Sequence, residues 1–243
     1  MTKAIGFIGL GVMGYPMAGH LSKHNSISIF NRTKAKSENW CNKYNGKICS
    51  SPAELARVSD VIILCIGNDN DVRDVITGQE GLAKNLSSGS IIVDHTTTSA
   101  KLSLELSEHL KLKDIYYLDA PVSGGEAGAQ LGQLSIMVGG DRESYKLIKN
   151  ILQPYTKLIK HMGPSGFGQY TKMVNQICIA GLIQALAEGI NFSERVGLDT
   201  RNVLEVVSKG AAQSWQMDNR WLTMLDDNYD HGFAVDLMRK DLD

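Results

Sequence analysis

Seven short runs rich in β-branched and aliphatic residues punctuate the first part of this chain, at residues 4–8, 26–30, 61–66, 90–94, 115–118, 134–138 and 156–159. Segments of helical character separate them. Such alternation demands crossover connections, and therefore a mainly parallel sheet with helices packed on it. After Pro164 the strand pattern stops, and residues 166–198, 200–209 and 215–225 carry helical spacing without a convincing strand. The expected architecture is an α/β domain over residues 1–163 and an all-α domain over residues 164–243. The link is the punctuated stretch Gly163, Pro164, Ser165 and Gly166.

With 243 residues, 43% hydrophobic and 21% charged, the chain has the composition of an ordinary globular protein with one large or two smaller cores. Its formal charge of −1 and lack of a lysine or arginine run leave out the electrostatic footprint of a nucleic-acid binder. No uninterrupted apolar run reaches the roughly 18 residues that would span a bilayer. The opening MTKAIGFIGLG goes straight into a strand pattern without a signal-peptide cleavage site. No nucleic acid, no membrane and a cytoplasmic location are expected. Cys41, Cys49, Cys65 and Cys178 lack paired spacing and read as small buried or half-buried hydrophobes, and the histidines show no metal-ligand spacing, so no metal is expected. The ending FAVDLMRKDLD has helical periodicity without a glycine or proline stop, which reads as a helix cut short.

Gly9, Leu10, Gly11, Val12, Met13 and Gly14 follow the first strand and open a helix. Glycines at these three positions permit a tight turn, close approach of a pyrophosphate to the backbone, and close helix-on-sheet packing. The motif is weak alone in a chain with 24 glycines, but it has the required strand before and helix after. It is expected to bind a dinucleotide. At the end of the second strand, where an acidic residue would select NAD, stand Asn31, Arg32 and Thr33. An arginine fork and a helix start suit a 2′-phosphate, so NADP is the preferred cofactor with NAD as the alternative. The competing reading is a solvated basic turn.

Residues 119–134, DAPVSGGEAGAQLGQL, follow the fifth strand run. Ser123 offers a hydroxyl, and Gly124 and Gly125 expose backbone N–H groups, a set that suits a carboxylate or is simply a glycine-rich turn. The long helix decides between them. Lys172 lies near its start, with Asn175 and Gln176 at i+3 and i+4 on the same face. The helix start carries about half a positive charge, which disfavours an ammonium there and draws its pKa toward neutrality. A lysine so placed can exchange a proton with a substrate oxygen while hydride moves.

The set GFIGLGVMG, FNRT, DHTTT, DAPVSGG, GFGQYTKMVNQ and MRKDLD resembles, in order and along the whole chain, the β-hydroxyacid dehydrogenase family. That family joins a Rossmann-type doubly wound sheet to an all-α domain. The resemblance implies that Lys172 is the acid/base, that Asn175 orients the substrate, and that Ser123, Gly124 and Gly125 bind the substrate carboxylate. It further implies that Thr97 contacts the cofactor and that Lys240 lies near the nicotinamide. Where the family commonly has Leu-Pro, this chain has Ile66 and Gly67, whose backbone is expected at the cofactor. The family also usually continues beyond this ending.

The resulting expectation is an NAD(P)-dependent enzyme interconverting a short β-hydroxy acid and its semialdehyde. It resembles either a 3-hydroxyisobutyrate dehydrogenase or an NADPH-dependent glyoxylate/succinic semialdehyde reductase. A catalytically silent nucleotide-binding scaffold is the alternative of another class. A helix of about thirty residues, about 45 Å long at 1.5 Å per residue, gives room for a homodimer or homotetramer interface.

Overall fold

The computed structural model describes residues 3–229, 232 and 234–242. Two compact units divide at Met1–Lys172 and Met173–Asp243. In the first, β1 (Ile5–Ile8), β2 (Ile27–Phe30), β4 (Val61–Leu64), β5 (Ile91–Asp94) and β6 (Tyr116–Asp119) pair in parallel with a two-residue β3 (Lys47–Ile48) at the edge, in the order β3-β2-β1-β4-β5-β6. The chain continues from β6 through Pro121 into β7 (Val122–Ser123) in one register, and β8 (Leu134–Gly139) runs antiparallel to both. Strand β9 (Thr156–Gly163) then pairs in parallel with β8. The seven anticipated strands are present. The two additions, β3 and β7, are too short to show a periodic signal.

Strands β1, β4 and β5 are buried along their whole length, as expected of parallel strands covered on both faces. Alternate residues feed two cores. Ile5, Phe7, Val61, Ile63, Ile91 and Val93 pack with Met17 and Leu21 of α1 (Gly14–Ser22) and with Trp40 of α2 (Lys34–Lys43). On the opposite face Ile8, Ile62, Leu64 and Ile92 pack with α3 (Pro52–Arg57), α4 (Asp69–Thr77) and α5 (Ala100–Lys111). This is the doubly wound sheet that the alternation requires. Side-chain caps fix the starts of these helices: Asn68 accepts from Asp71 N, Ser99 from Leu102 N, and Ser51 from Glu54 N.

Gly124 and Gly125 also lead into α6 (Gly125–Leu131), and α7 (Arg142–Leu152) follows β8. The backbone φ of +138° at Gly124 is a value that side chains resist, so the turn into α6 needs glycine.

Helix α8 (Phe167–Arg195) starts in the first unit and carries the lysine. One 18-residue window of it has mean hydropathy 1.4, long and apolar enough to cross a membrane by length and composition. The sequence expectation missed this because it sought an unbroken apolar run, whereas an average tolerates scattered Gln, Asn and Ser. In the second unit α9 (Thr200–Val207) and α10 (Trp215–Leu225) pack on α8 through Leu186, Ile190, Met217 and Trp221, and α11 (Val235–Leu242) follows. Trp221 donates its indole N–H to Thr200 O at 3.3 Å. Trp215 is exposed, with the Arg220 guanidinium 5.2 Å from its ring centre. Cys178, expected to be buried or half-buried, is likewise exposed on α8, outside the small unit-two core.

Candidate active site

The sheet register sets Ile8 level with Phe30 and Leu64, Leu64 level with Asp94, and Asp94 level with Asp119. Five loops therefore leave one carboxyl edge of the sheet: residues 9–14, 31–33, 65–67, 95–98 and 120–123. The chain goes from β1 to β2 on one side and to β4 on the other, so the edge includes the switch point where open α/β sheets bind ligands. Sequence positions scattered over more than a hundred residues meet here because the strands end together.

The three motif glycines differ in what surrounds them. A Cβ on Gly9 would collide with the Cys65 carbonyl, and one on Gly14 with the Gly9 carbonyl. These two glycines are needed by the protein itself. At Gly11 a Cβ would find nothing within 4 Å, so no protein contact requires its bareness. Space kept clear beside backbone at a helix start fits a pyrophosphate.

Asn31 secures this loop. Its Oδ1 accepts from Leu10 N at 2.9 Å and its Nδ2 donates to Thr33 O at 3.0 Å. Its amide therefore ties the glycine loop to the end of β2, a bracing role that the sequence expectation did not separate from ligand contact. Thr33 is the cap residue of α2. The Arg32 side chain is 89% exposed, and its Nη1 lies 3.5 Å from Asp71 Oδ1, a surface pair worth at most about 1 kcal/mol. A Cβ at Gly67 would meet the Asp71 carboxylate, the movable end of a side chain, so this contact alone does not demand glycine beside Ile66.

Buried polar groups brace the next loop. Thr96 Oγ1 accepts from Ile66 N at 3.1 Å, and Thr96 N donates to Asp94 Oδ1 at 2.9 Å. Asp94 also accepts from Tyr117 Oη at 2.8 Å, and burial pushes its carboxyl up to about 6. His95 Nδ1 is 2.6 Å from Ala120 O and its Nε2 is 2.8 Å from Tyr155 Oη. A carbonyl only accepts, so Nδ1 carries the proton and the tyrosine donates to Nε2. Burial lowers the imidazole to about 4. His95 is thus a neutral brace.

Asp119, at the end of β6, accepts from Gly166 N at 2.8 Å and from Gln169 N at 3.0 Å. It is fully buried, burial raises its carboxyl to about 6, and the backbone N–H groups oppose that rise. This carboxylate sits on the start of α8 and offsets the positive helix end on which the lysine is placed. Lys172 is 8% exposed, and its Nζ donates to Val122 O at 2.9 Å. The nitrogen is thereby held against the residue that precedes Ser123. Ser123 itself lies in β7, opposite Ser135. Asp119 and Gln169 were not singled out from sequence. Their signals were a carboxylate at the end of a strand, directly before the serine-glycine segment, and a glutamine three residues before the lysine on the same helical face.

Asn175 and Lys240 belong to the second unit. There, Asn175 Nδ2 donates to Gln176 Oε1 at 2.7 Å, and Gln176 Nε2 donates to Asp241 Oδ2 at 2.7 Å, which pins α11 to α8. Lys240 Nζ is 3.0 Å from Asp241 Oδ1, so Asp241 joins the lysine to the glutamine.

Comparison with known proteins agrees with this geometry. Residues 4–163 match the family profile described as the NAD-binding domain of 6-phosphogluconate dehydrogenase, and residues 166–243 the one described as NAD-binding of NADP-dependent 3-hydroxyisobutyrate dehydrogenase. An uncharacterized oxidoreductase of Shewanella frigidimarina (strain NCIMB 400) is 50% identical over 98% of this chain and 82% of its own length. The solved structure of Mycobacterium tuberculosis 3-hydroxyisobutyrate dehydrogenase with L-serine has a TM-score of 0.91 and 26% identity, covering 99% of this chain and 84% of that one. Psf3 in complex with NADP+ and 2-OPP has a TM-score of 0.88 and 25% identity, covering 98% of this chain and 84% of that one. With a carboxyl-edge glycine loop shaped for a dinucleotide and two family profiles that together span the chain, the protein belongs to the β-hydroxyacid dehydrogenase family and is an NAD(P)-dependent oxidoreductase.

Proposed function

We propose that this dehydrogenase interconverts a short β-hydroxy carboxylic acid and its semialdehyde, prefers NADP, and uses Lys172 as its acid/base. The observation that carries the reading is the seating of the Lys172 Nζ on Val122 O, at the threshold of Ser123. A bound nicotinamide supplies the hydride acceptor in one direction and the hydride donor in the other. In oxidation, the Lys172 amine takes the hydroxyl proton as the C–H hydride departs; in reduction, the ammonium returns a proton to the carbonyl oxygen. Val122 O fixes the direction of that nitrogen by accepting one of its hydrogens. Ser123 with Gly124 and Gly125 is assigned the substrate carboxylate, and Asn175 the hydroxyl-bearing end.

The residues after β2 support the NADP preference. Arg32 is exposed, and the Asp71 carboxylate it faces stands 3.5 Å away in a solvent-screened pair, so a 2′-phosphate can claim its guanidinium. Thr97, Ile66 and Gly67 are assigned to the nicotinamide half, as is Lys240. Exposed Tyr170, Val174 and Ile177 recur at i, i+4 and i+7 along α8 and support a homodimer or homotetramer.

The test is a panel of short hydroxy acids and semialdehydes assayed with NADPH/NADP and NADH/NAD in parallel. Turnover of a three- or four-carbon β-hydroxy acid or its semialdehyde, faster with the phosphorylated cofactor, is expected. No turnover across the panel despite firm cofactor binding would leave only a nucleotide-binding scaffold.

A further inference from the structure

Gln169 is fully buried on the first turn of α8, and both ends of its amide are engaged by one loop. Its Nε2 donates to Thr96 O at 2.8 Å, and its Oε1 accepts from Thr98 N at 3.2 Å. The amide orientation is unambiguous, since Thr96 O can only accept and Thr98 N can only donate. The pair of bonds brackets Thr97. The same residue's backbone N–H is held by Asp119, which leads into the segment carrying Val122 and Ser123. Thr96, the other end of the clamp, also holds Ile66 N. Three residues further along the helix stands Lys172.

We infer that Gln169 is a positioning residue that fixes the distance between the Thr97 loop and the Lys172 amine. The inference rests on the proposed role of Lys172 and deepens it. A filler for the core would be apolar here. A buried primary amide pairing a carbonyl and an N–H two residues apart instead sets a register between loop and helix, and a shift of about 1 Å in such a register costs up to about 100-fold in rate.

Two substitutions separate positioning from bulk. Gln169→Met keeps the volume and drops both bonds; Gln169→Glu keeps the acceptor for Thr98 N but can donate to Thr96 O only when protonated. The titratable groups facing the position are Asp119, bonded to its backbone, and Asp94, bonded to Thr96 N. The full chain, saturated with NADPH, is assayed for kcat and KM between about pH 6 and pH 9, with melting temperature recorded alongside. Gln169→Met should lower kcat about 10- to 100-fold at every pH with KM for the aldehyde changed less than about threefold. The kcat of Gln169→Glu relative to the unaltered chain should fall as pH rises, because ionisation turns the Thr96 contact repulsive.

A Gln169→Met protein with undiminished kcat per folded molecule, or a Gln169→Glu ratio flat across pH, overturns the inference. If Gln169→Met fails to fold, the pH slope of Gln169→Glu decides alone. Should the unaltered chain itself show no turnover, it is the reading of Lys172 that fails, which is a different result from an active chain indifferent to position 169.

Discussion

The Lys172 Nζ donates to the carbonyl of Val122 across 2.9 Å, which sets the only lysine of the first helical turns against the strand end that leads to Ser123. A cation near a helix start is poorly placed on the helix's own account. Two features of the fold reverse this: the carbonyl acceptor and the buried Asp119 carboxylate that takes the N–H groups of Gly166 and Gln169. The position of the lysine is thus maintained by the segment that is assigned the substrate.

Removing the clear space beside Gly11 separates a ligand role from a structural one. Gly11→Ala meets no protein atom, so its melting temperature should stay within about 2 °C while NADPH affinity weakens about tenfold or more. Gly14→Ala drives its methyl onto the Gly9 carbonyl and should instead destabilise the fold by about 1–3 kcal/mol. Thermal melts with and without NADPH distinguish the two. Unchanged cofactor affinity in Gly11→Ala would move the pyrophosphate away from this loop.

Loss of the guanidinium tests cofactor choice. Arg32→Ala should raise the KM for NADPH about 10- to 100-fold, the worth of a charge-assisted bond, and leave that for NADH within about twofold. Asp71→Asn, which frees Arg32 from its acidic neighbour, should lower the NADPH KM by less than about fivefold at low salt. Equal effects of Arg32→Ala on both cofactors would contradict the assignment.

His95 gives a pH dependence with a defined sign. Burial depresses its folded pKa to about 4 from 6.5, so the contribution is fully present above pH 6.5 and is lost as pH falls through 4. Gln in its place can donate to Ala120 O and accept from Tyr155 without titrating. Between pH 7 and pH 4 the native protein should lose up to about 3 kcal/mol relative to His95→Gln, with Asp94 and Asp119 common to both. Parallel urea-unfolding curves at the two pH values measure it; a constant difference between the proteins would remove the neutral buried imidazole.

What could be read from sequence was what repeats along the chain. Alternating apolar runs located the parallel strands, and the spacing of Gly9, Gly11 and Gly14 located the loop, because these signals are local. The roles of Asp119 and Gln169 stayed hidden, since each acts through partners some fifty and seventy residues away that only the sheet register brings near. Asn31 shows the reverse case. Its position after β2 drew it into the cofactor set, while its amide holds Leu10 and Thr33. Exposure was equally illegible: Trp215 and Cys178 have core-type chemistry and face outward.

The central claim is that the Lys172 nitrogen moves the proton that accompanies hydride transfer. Single-turnover oxidation of the substrate found in the panel, followed by the absorbance of reduced nicotinamide in the unaltered chain and in Lys172→Ala at saturating cofactor, tests it directly. A rate lowered by about 100- to 10,000-fold with the cofactor dissociation constant nearly unchanged is predicted. Hydride transfer at the native rate without that amine would contradict it.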